Sequence, residues 1–241
     1  VAATDRAAVR RLAYTRAAHE AGAVMIWDLA HSAGAMALDI AGSGAEFAVG
    51  CSYKYLNGGP GAPAFIYARP DLVADIDPAL AGWLGHEAPF AMEPEYRPAM
   101  STERLRVGTP PVLQLAVLQE ALRVWEGVDM ADLRAASQRL GDLFISEVEA
   151  RCPALTLASP RDAEQRGSQV SFAFEHGYAA MQALIDRGVI GDFRAPDIMR
   201  FGFTPLYLDE GDVIAAATTL QEVLETGAWQ DPGYQARGRV T

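Results

Sequence analysis

Cysteine, positive charge and long apolar runs are all scarce in this 241-residue sequence, and each shortage excludes a class of protein. Two cysteines, Cys51 and Cys152, cannot build a disulfide framework, which makes a reducing cytoplasm the expected compartment. Twenty Lys+Arg against 31 Asp+Glu leave a formal charge of −11 and a pI near 4.8. Nucleic acid and anionic membranes both require clustered cations, so neither is expected as a partner. No apolar stretch approaches the roughly 20 residues that span a bilayer. Residues 1–22, rich in Arg, Ala and acidic side chains, lack the apolar centre of a signal peptide. Internal repeats and low-complexity tracts are absent. What remains is an ordinary globular composition, 50% hydrophobic and 21% charged, enough for one large domain or one and a half ordinary ones. The first residue is not Met, and helix-like sequence follows almost at once. The expectation is that the start was processed or that the sequence begins inside a larger protein.

Residues 5–20 carry good helix formers and are followed by Gly22 as a stop signal. The run Ala23-Val24-Met25-Ile26-Trp27, closed by Asp28, predicts a strand buried on both faces of a parallel sheet. Residues 46–51 predict a second strand and residues 64–67 a third, with a short helix within 31–40 as the first crossover. Residues 69–108 are irregular and hold five of the fourteen prolines, the signature of a functional loop or a disordered one. Pro110-Pro111 opens a helix with Leu115, Leu118, Leu122 and Trp125 on one stripe, and a second helix is predicted over 130–151. Beyond Pro153 the pattern reads strand (170–174), helix (178–187), strand (198–203), helix (212–226), a small α/β layer.

Chemistry concentrates in Trp27-Asp28-Leu29-Ala30-His31-Ser32-Ala33-Gly34 and in Ser52-Tyr53-Lys54-Tyr55-Leu56-Asn57-Gly58-Gly59-Pro60-Gly61. Asp28 falls at the carboxyl end of a predicted strand, where open α/β sheets place ligands, and Lys54 falls just beyond the next strand. A lysine among apolar and glycine residues sheds its proton readily and can serve as a Schiff-base amine. A carboxylate can keep a pyridine nitrogen protonated, which makes the ring an electron sink. Each residue also has a plainer reading. Asp28 could cap a helix, Lys54 could be solvated, and His31 could be a core histidine bonded to a backbone carbonyl. Trp83 could be simple packing, Tyr53 half-buried with a wet hydroxyl, and Arg200 half of a surface ion pair. The glycine run is first a backbone device for a tight turn, and Cys51 reads as a small buried residue. His19, His86, His176 and Glu87 have no metal-ligand spacing, so no metal is expected.

Taken together, the strings WDLAHSAGA, GCSYKYLNGGPGAPAFIY and GWLGHE resemble kynureninase, from residue 12 to about 208. The resemblance implies an α/β, PLP-dependent transferase-like chain (fold type I). Residues 1–128 would form the C-terminal part of a large domain with a mostly parallel sheet, and 129–241 a connecting helix and small C-terminal domain. It implies pyridoxal 5′-phosphate as cofactor and hydrolytic Cβ–Cγ cleavage of L-kynurenine or its 3-hydroxy derivative, in tryptophan catabolism. Lys54 would bind the cofactor covalently and then move the substrate's Cα proton. Asp28 would face the pyridine nitrogen with His31 beside it, and Tyr53 would donate its hydroxyl to the phosphate. Trp83 would reach the phosphate of a partner subunit in a homodimer. Thr109 matches a cofactor contact that is Asn in some relatives, a mild change because a hydroxyl can still bond a phosphate. Arg200, in Ile198-Met199-Arg200-Phe201, matches the arginine that clamps the substrate's α-carboxylate.

In the family a long N-terminal portion carries the phosphate-cradling loop, a ring-stacking aromatic and part of the substrate pocket, none of which these residues match. Two readings therefore stand side by side: part of a competent hydrolase, or a non-catalytic remnant that dimerises or pairs with a partner. A third is another fold-type-I lyase such as a cysteine desulfurase, for which Cys152, at the end of a predicted helix, is badly placed.

Overall fold

The computed structural model describes residues 7–236, with side chains from residue 12 onward. They divide into two compact units, one comprising residues 7–34 and 38–126, the other 35–37 and the chain from Gly127.

The first unit opens with helix α1 (Ala7–Glu20); residues 5 and 6 of the expected helix lie outside the described residues. Strands β1 (Ile26–Asp28) and β2 (Phe47–Cys51) pair in parallel, with Trp27 opposite Ala48. Strand β3 (Ala64–Ala68) pairs antiparallel to β2, with Cys51 opposite Ala64. The α/β reading holds, but this three-stranded sheet is mixed, not mostly parallel. The reason lies in the β2–β3 link, which doubles back through Asn57 at φ 61° and needs no crossover helix. Nor is β1 buried on both faces. Trp27 and Ala48 face a small core with Leu29, Ala33 and Tyr67, and the Trp27 Nε1–H donates to buried Thr15 of α1 at 3.2 Å. On the opposite face Ile26 and Ile66 are 58% and 51% exposed.

The crossover from β1 to β2 contains no helix within 31–39, only turns and the four-residue α2 (Ile40–Ser43), N-capped by Asp39. Gly34 accounts for this. Its φ is +82°, and a Cβ there would lie 2.6 Å from the Tyr55 carbonyl oxygen, so the chain is pressed flat against the segment after β2.

Residues 69–108 are irregular, as the prolines predict, with single 3₁₀ turns at Val73–Asp75, Trp83–Gly85 and Thr102–Leu105. Buried Arg104 ties the last turn to the first, donating from Nη1 to the carbonyls of Val73 and Ala74. Helix α3 (Val112–Ala121) starts after Pro111 as expected, but no residue in it is buried, and Leu113 and Val117 are among its most exposed. On the expected stripe Leu118 is partly buried, while Leu113 and Val117 outside it leave further apolar surface exposed.

The second unit is built on α4 (Met130–Arg151), whose bounds coincide with the sequence expectation because Asp129 caps two N–H groups at its start. Strands β4 (Thr156–Leu157), β5 (Gln169–Ala173), β6 (Asp192–Arg194) and β7 (Ile198–Gly202) form an antiparallel sheet in the order β4-β5-β7-β6. Helices α5 (Gly177–Ile185), α6 (Glu210–Glu225) and α7 (Pro232–Gln235) complete it. Phe144 of α4 meets Phe172, Phe201 and Phe203 at centroid distances of 6.1, 4.8 and 5.4 Å, the centre of a core that also takes Val148, Leu184 and Leu220. Each such buried side chain contributes roughly 1.5–3 kcal/mol.

Candidate active site

Because β1 and β2 run in parallel, their carboxyl ends open side by side. The ladder continues one step, with the Leu29 N–H donating to the Val49 carbonyl at 2.7 Å, and the chain then turns. Asp28 makes that turn: its Oδ1 accepts the Ala30 N–H at 2.8 Å, leaving the carboxylate exposed at the strand end and bringing His31 round. After β2, buried Ser52 bonds the Pro63 carbonyl through its hydroxyl and accepts the Gly58 N–H on its own carbonyl at 2.8 Å. The Asn57 N–H closes the loop on the Lys54 carbonyl at 2.9 Å. The two turns meet: Lys54 Nζ lies 3.2 Å from His31 Nε2, and the Cys51 thiol lies 3.7 Å from the Ala30 carbonyl oxygen.

Amine and imidazole within hydrogen-bond distance can exchange a proton, and Asp28 adds a carboxylate at the head of the same turn. Tyr53 is 49% exposed, with its ring centroid 5.4 Å from Lys54 Nζ. Composition adds a signal of its own: Lys54 is the single lysine of the chain, the other 19 of 20 basic residues being arginine.

Trp83 and Thr109 line a separate pocket of about 470 Å³ in the same unit; Lys54, His31, Asp28 and Tyr53 are not in its walls. Phe90 stands edge-on to Trp83 at 5.6 Å, and Arg106 lines the pocket beside them. Neither was legible in the sequence, since both sit in loop segments without periodicity. His86, which has no metal spacing, has a structural task instead. Its Nδ1 accepts the Ala88 N–H at 2.9 Å and its Nε2 faces the Glu95 carbonyl at 3.1 Å, which fixes the proton on Nε2 and staples the loop behind Trp83.

Arg200 belongs to the second unit. On β7 it stands opposite Asp192 of β6, and its Nε donates to that carboxylate at 3.0 and 3.1 Å. Arg194 approaches the same carboxylate at 3.5 Å. Asp192 had no signal in the sequence, because β6 is only three residues long. Cys152, at the C-terminal end of α4, is 2% exposed, and burial pushes its thiol up to about 11, with Glu225 adding to the effect. A thiol so placed is no nucleophile at neutral pH.

Residues 133–220 match the family model of the kynureninase C-terminal domain. Over 231 residues the chain is 51% identical to the kynureninase of Pseudomonas fluorescens, an alignment that covers 95% of this chain and 56% of that protein. By sequence the chain is similar to the kynureninases over nearly all of its own length. The kynureninase of Burkholderia mallei is 48% identical over 229 residues, covering 94% of this chain and 55% of its own length. The chain thus spans about half the length of the curated kynureninases it matches.

Solved structures give the fold. The apo cysteine desulfurase of Thermococcus onnurineus NA1 superposes with a TM-score of 0.74 at 19% identity, over 89% of this chain and 56% of that one. The cysteine desulfurase CsdA of Escherichia coli gives 0.71 at 22%, over 89% and 55%. A mutant of the lyase C-DES, with glycine covalently linked to its PLP cofactor, gives 0.66 at 18%, over 79% and 49%. The chain therefore has the fold that these solved structures share, an α/β architecture with one mixed and one antiparallel sheet.

Proposed function

We propose that this chain carries the lysine-bearing part of a kynureninase: hydrolysis of the Cβ–Cγ bond of L-kynurenine or 3-hydroxykynurenine, giving the anthranilate and L-alanine. The observation that carries the proposal is the meeting of Lys54 and His31 at 3.2 Å beyond the carboxyl ends of two parallel strands, with Asp28 heading the same turn. An amine, an imidazole and an exposed carboxylate there, with the Tyr53 hydroxyl alongside, fit pyridoxal 5′-phosphate. When bound, that cofactor supplies an electron sink for bonds broken at the substrate's α and β carbons.

The chain's own residues supply position and proton movement. Lys54 Nζ holds the cofactor and afterwards carries the proton that leaves the substrate's Cα. Asp28, anchored by the Ala30 N–H, would keep a proton on the cofactor's ring nitrogen. Tyr53 donates its hydroxyl to a phosphate oxygen. Arg200 binds the substrate's α-carboxylate through the fork with which it now holds Asp192.

Residues 1–128 are proposed as the C-terminal part of the cofactor domain, and 129–241 as the connecting helix and small domain. A homodimer in the cytoplasm is part of the same proposal. In it Trp83 and Thr109 serve the partner subunit's site, which accords with a pocket that Lys54 does not line. Two free cysteines suit a reducing compartment, and among the described residues no helix is long and apolar enough to cross a membrane. The test is anthranilate fluorescence on adding L-kynurenine to the purified chain with pyridoxal 5′-phosphate. Release of anthranilate with equimolar alanine supports the proposal; no release, with the cofactor bound, favours the non-catalytic remnant.

A further inference from the structure

The side chain that meets Lys54 Nζ at hydrogen-bond distance is an imidazole. His31 Nε2 lies 3.2 Å away, with the Tyr53 ring at 5.4 Å. This pairing is unusual for a lysine, because a neutral imidazole brings no countercharge. It brings a lone pair that can take a proton and return it. The arrangement is also imposed from outside the pair. Gly34, three residues past the histidine, packs on Tyr55, next to the lysine, so closely that a Cβ has no room. The Asp28 turn and the Ser52–Gly58 bond hold the two loops from their other ends.

We propose that His31 is the proton acceptor of Lys54, an inference that rests on Lys54 being the reactive amine. A lysine attacks a carbonyl only with its electron pair bare. In water imidazole is the weaker base, so the transfer is transient. One proton passes from Nζ to Nε2 as the Nζ pair forms the N–C bond, and the carbonyl π pair moves to oxygen. That oxygen then takes one proton from Nζ and one from the imidazolium and leaves as water, which returns His31 to its neutral state. The same contact lets His31 receive a proton that Lys54 later lifts from a substrate carbon.

The single lysine makes the test clean, because an amine-directed reagent has only Lys54 and the chain terminus to modify. The probe is a water-soluble N-hydroxysuccinimide acetate, applied from pH 5.5 to 9, with acetylation of the Lys54 peptide followed by mass. For the wild-type chain the rate is expected to rise with pH through an inflection that depends on the imidazole. His31→Ala and His31→Gln are both expected to lose the inflection and to react about tenfold more slowly at pH 7, a modest general-base effect. The glutamine variant can still hydrogen-bond but cannot take a proton. If it keeps the wild-type profile, or if both variants do, proton acceptance by His31 is overturned. A parallel incubation with pyridoxal 5′-phosphate and borohydride separates this inference from the functional proposal. Histidine-dependent acetylation without a pyridoxyl adduct sinks the kynureninase proposal alone, and an adduct with histidine-independent acetylation sinks only the relay.

Discussion

Arg200 and Asp192 face each other across the β6–β7 pair, and the arginine's Nε is shared between both carboxylate oxygens at 3.0 and 3.1 Å. The guanidinium is thus already set in the orientation that holds a carboxylate, on a strand whose neighbours Met199 and Phe201 are fixed in the core. If it serves the substrate's α-carboxylate, Arg200→Ala is expected to raise KM for L-kynurenine at least tenfold, with a smaller change in kcat. Arg200→Lys should fall between the two, since an ammonium keeps the charge but loses the fork. Steady-state kinetics on the three proteins check this, and an unchanged KM in the alanine variant removes Arg200 from substrate binding.

Gly34 is where the fold and the site are joined. Gly34→Ala meets both a φ of +82° and a Cβ position 2.6 Å from the Tyr55 carbonyl, whereas Gly22→Ala meets a φ of +73° in open space. The Gly22 change is expected to cost about 1 kcal/mol from backbone strain alone, and the Gly34 change roughly 1–3 kcal/mol more. Urea unfolding of the two variants gives both numbers. Equal destabilisation would mean that the contact with Tyr55 is not tight.

Cys152 sets a limit on the alkaline side. Burial raises its thiol from 9.0 to about 11, so the folded state disfavours the thiolate. The stability this represents is complete below about 9, where the unfolded chain also keeps the proton, and is lost as pH rises through about 11. Iodoacetamide at pH 8 is expected to modify Cys51 well before Cys152 in the folded protein. Preferential alkylation of Cys152 would contradict the buried, inert assignment.

Glu46 sets the acid limit. Partial burial opposes its ionisation, but the Met25 N–H at 2.9 Å and the His19 ring outweigh it and hold the carboxyl below its ordinary 4.5. Its contribution is present above that value and lost as pH falls through the lowered one. Glu46→Gln is therefore expected to cost about 1–2 kcal/mol at pH 7 and progressively less as pH falls below 4.5, read from urea midpoints. A cost that does not change with pH would mean that the charge is irrelevant.

The elements that the sequence revealed best are those whose signals are local. Helix α4 begins on an Asp cap and carries its apolar residues at helical spacing, so its bounds were legible to the residue. Strands β2 and β3 are short apolar runs, and β5 and β7 short runs in which buried apolar residues alternate with less buried ones. The sheet's mixed character was not legible, because the direction of β3 depends on how the Asn57-to-Gly61 link turns in space. Exposure of β1 and α3 was missed for a related reason, since an apolar run states what a segment can bury but not what is there to cover it. At the candidate site, Asp28 and His31 stand out in one stretch of the sequence and Tyr53 and Lys54 in another, and the structure brings His31 to Lys54. Asp192 and Phe90 come to their partners only through tertiary register and loop path.

Whether Lys54 is the residue that takes the cofactor can be read in one experiment. The chain is incubated with pyridoxal 5′-phosphate, reduced with borohydride, digested and weighed peptide by peptide, beside Lys54→Arg treated identically. A single pyridoxyl group on the Lys54 peptide, absent from the arginine variant, is the expected result. Modification confined to the amino terminus, or equal in both proteins, would contradict it.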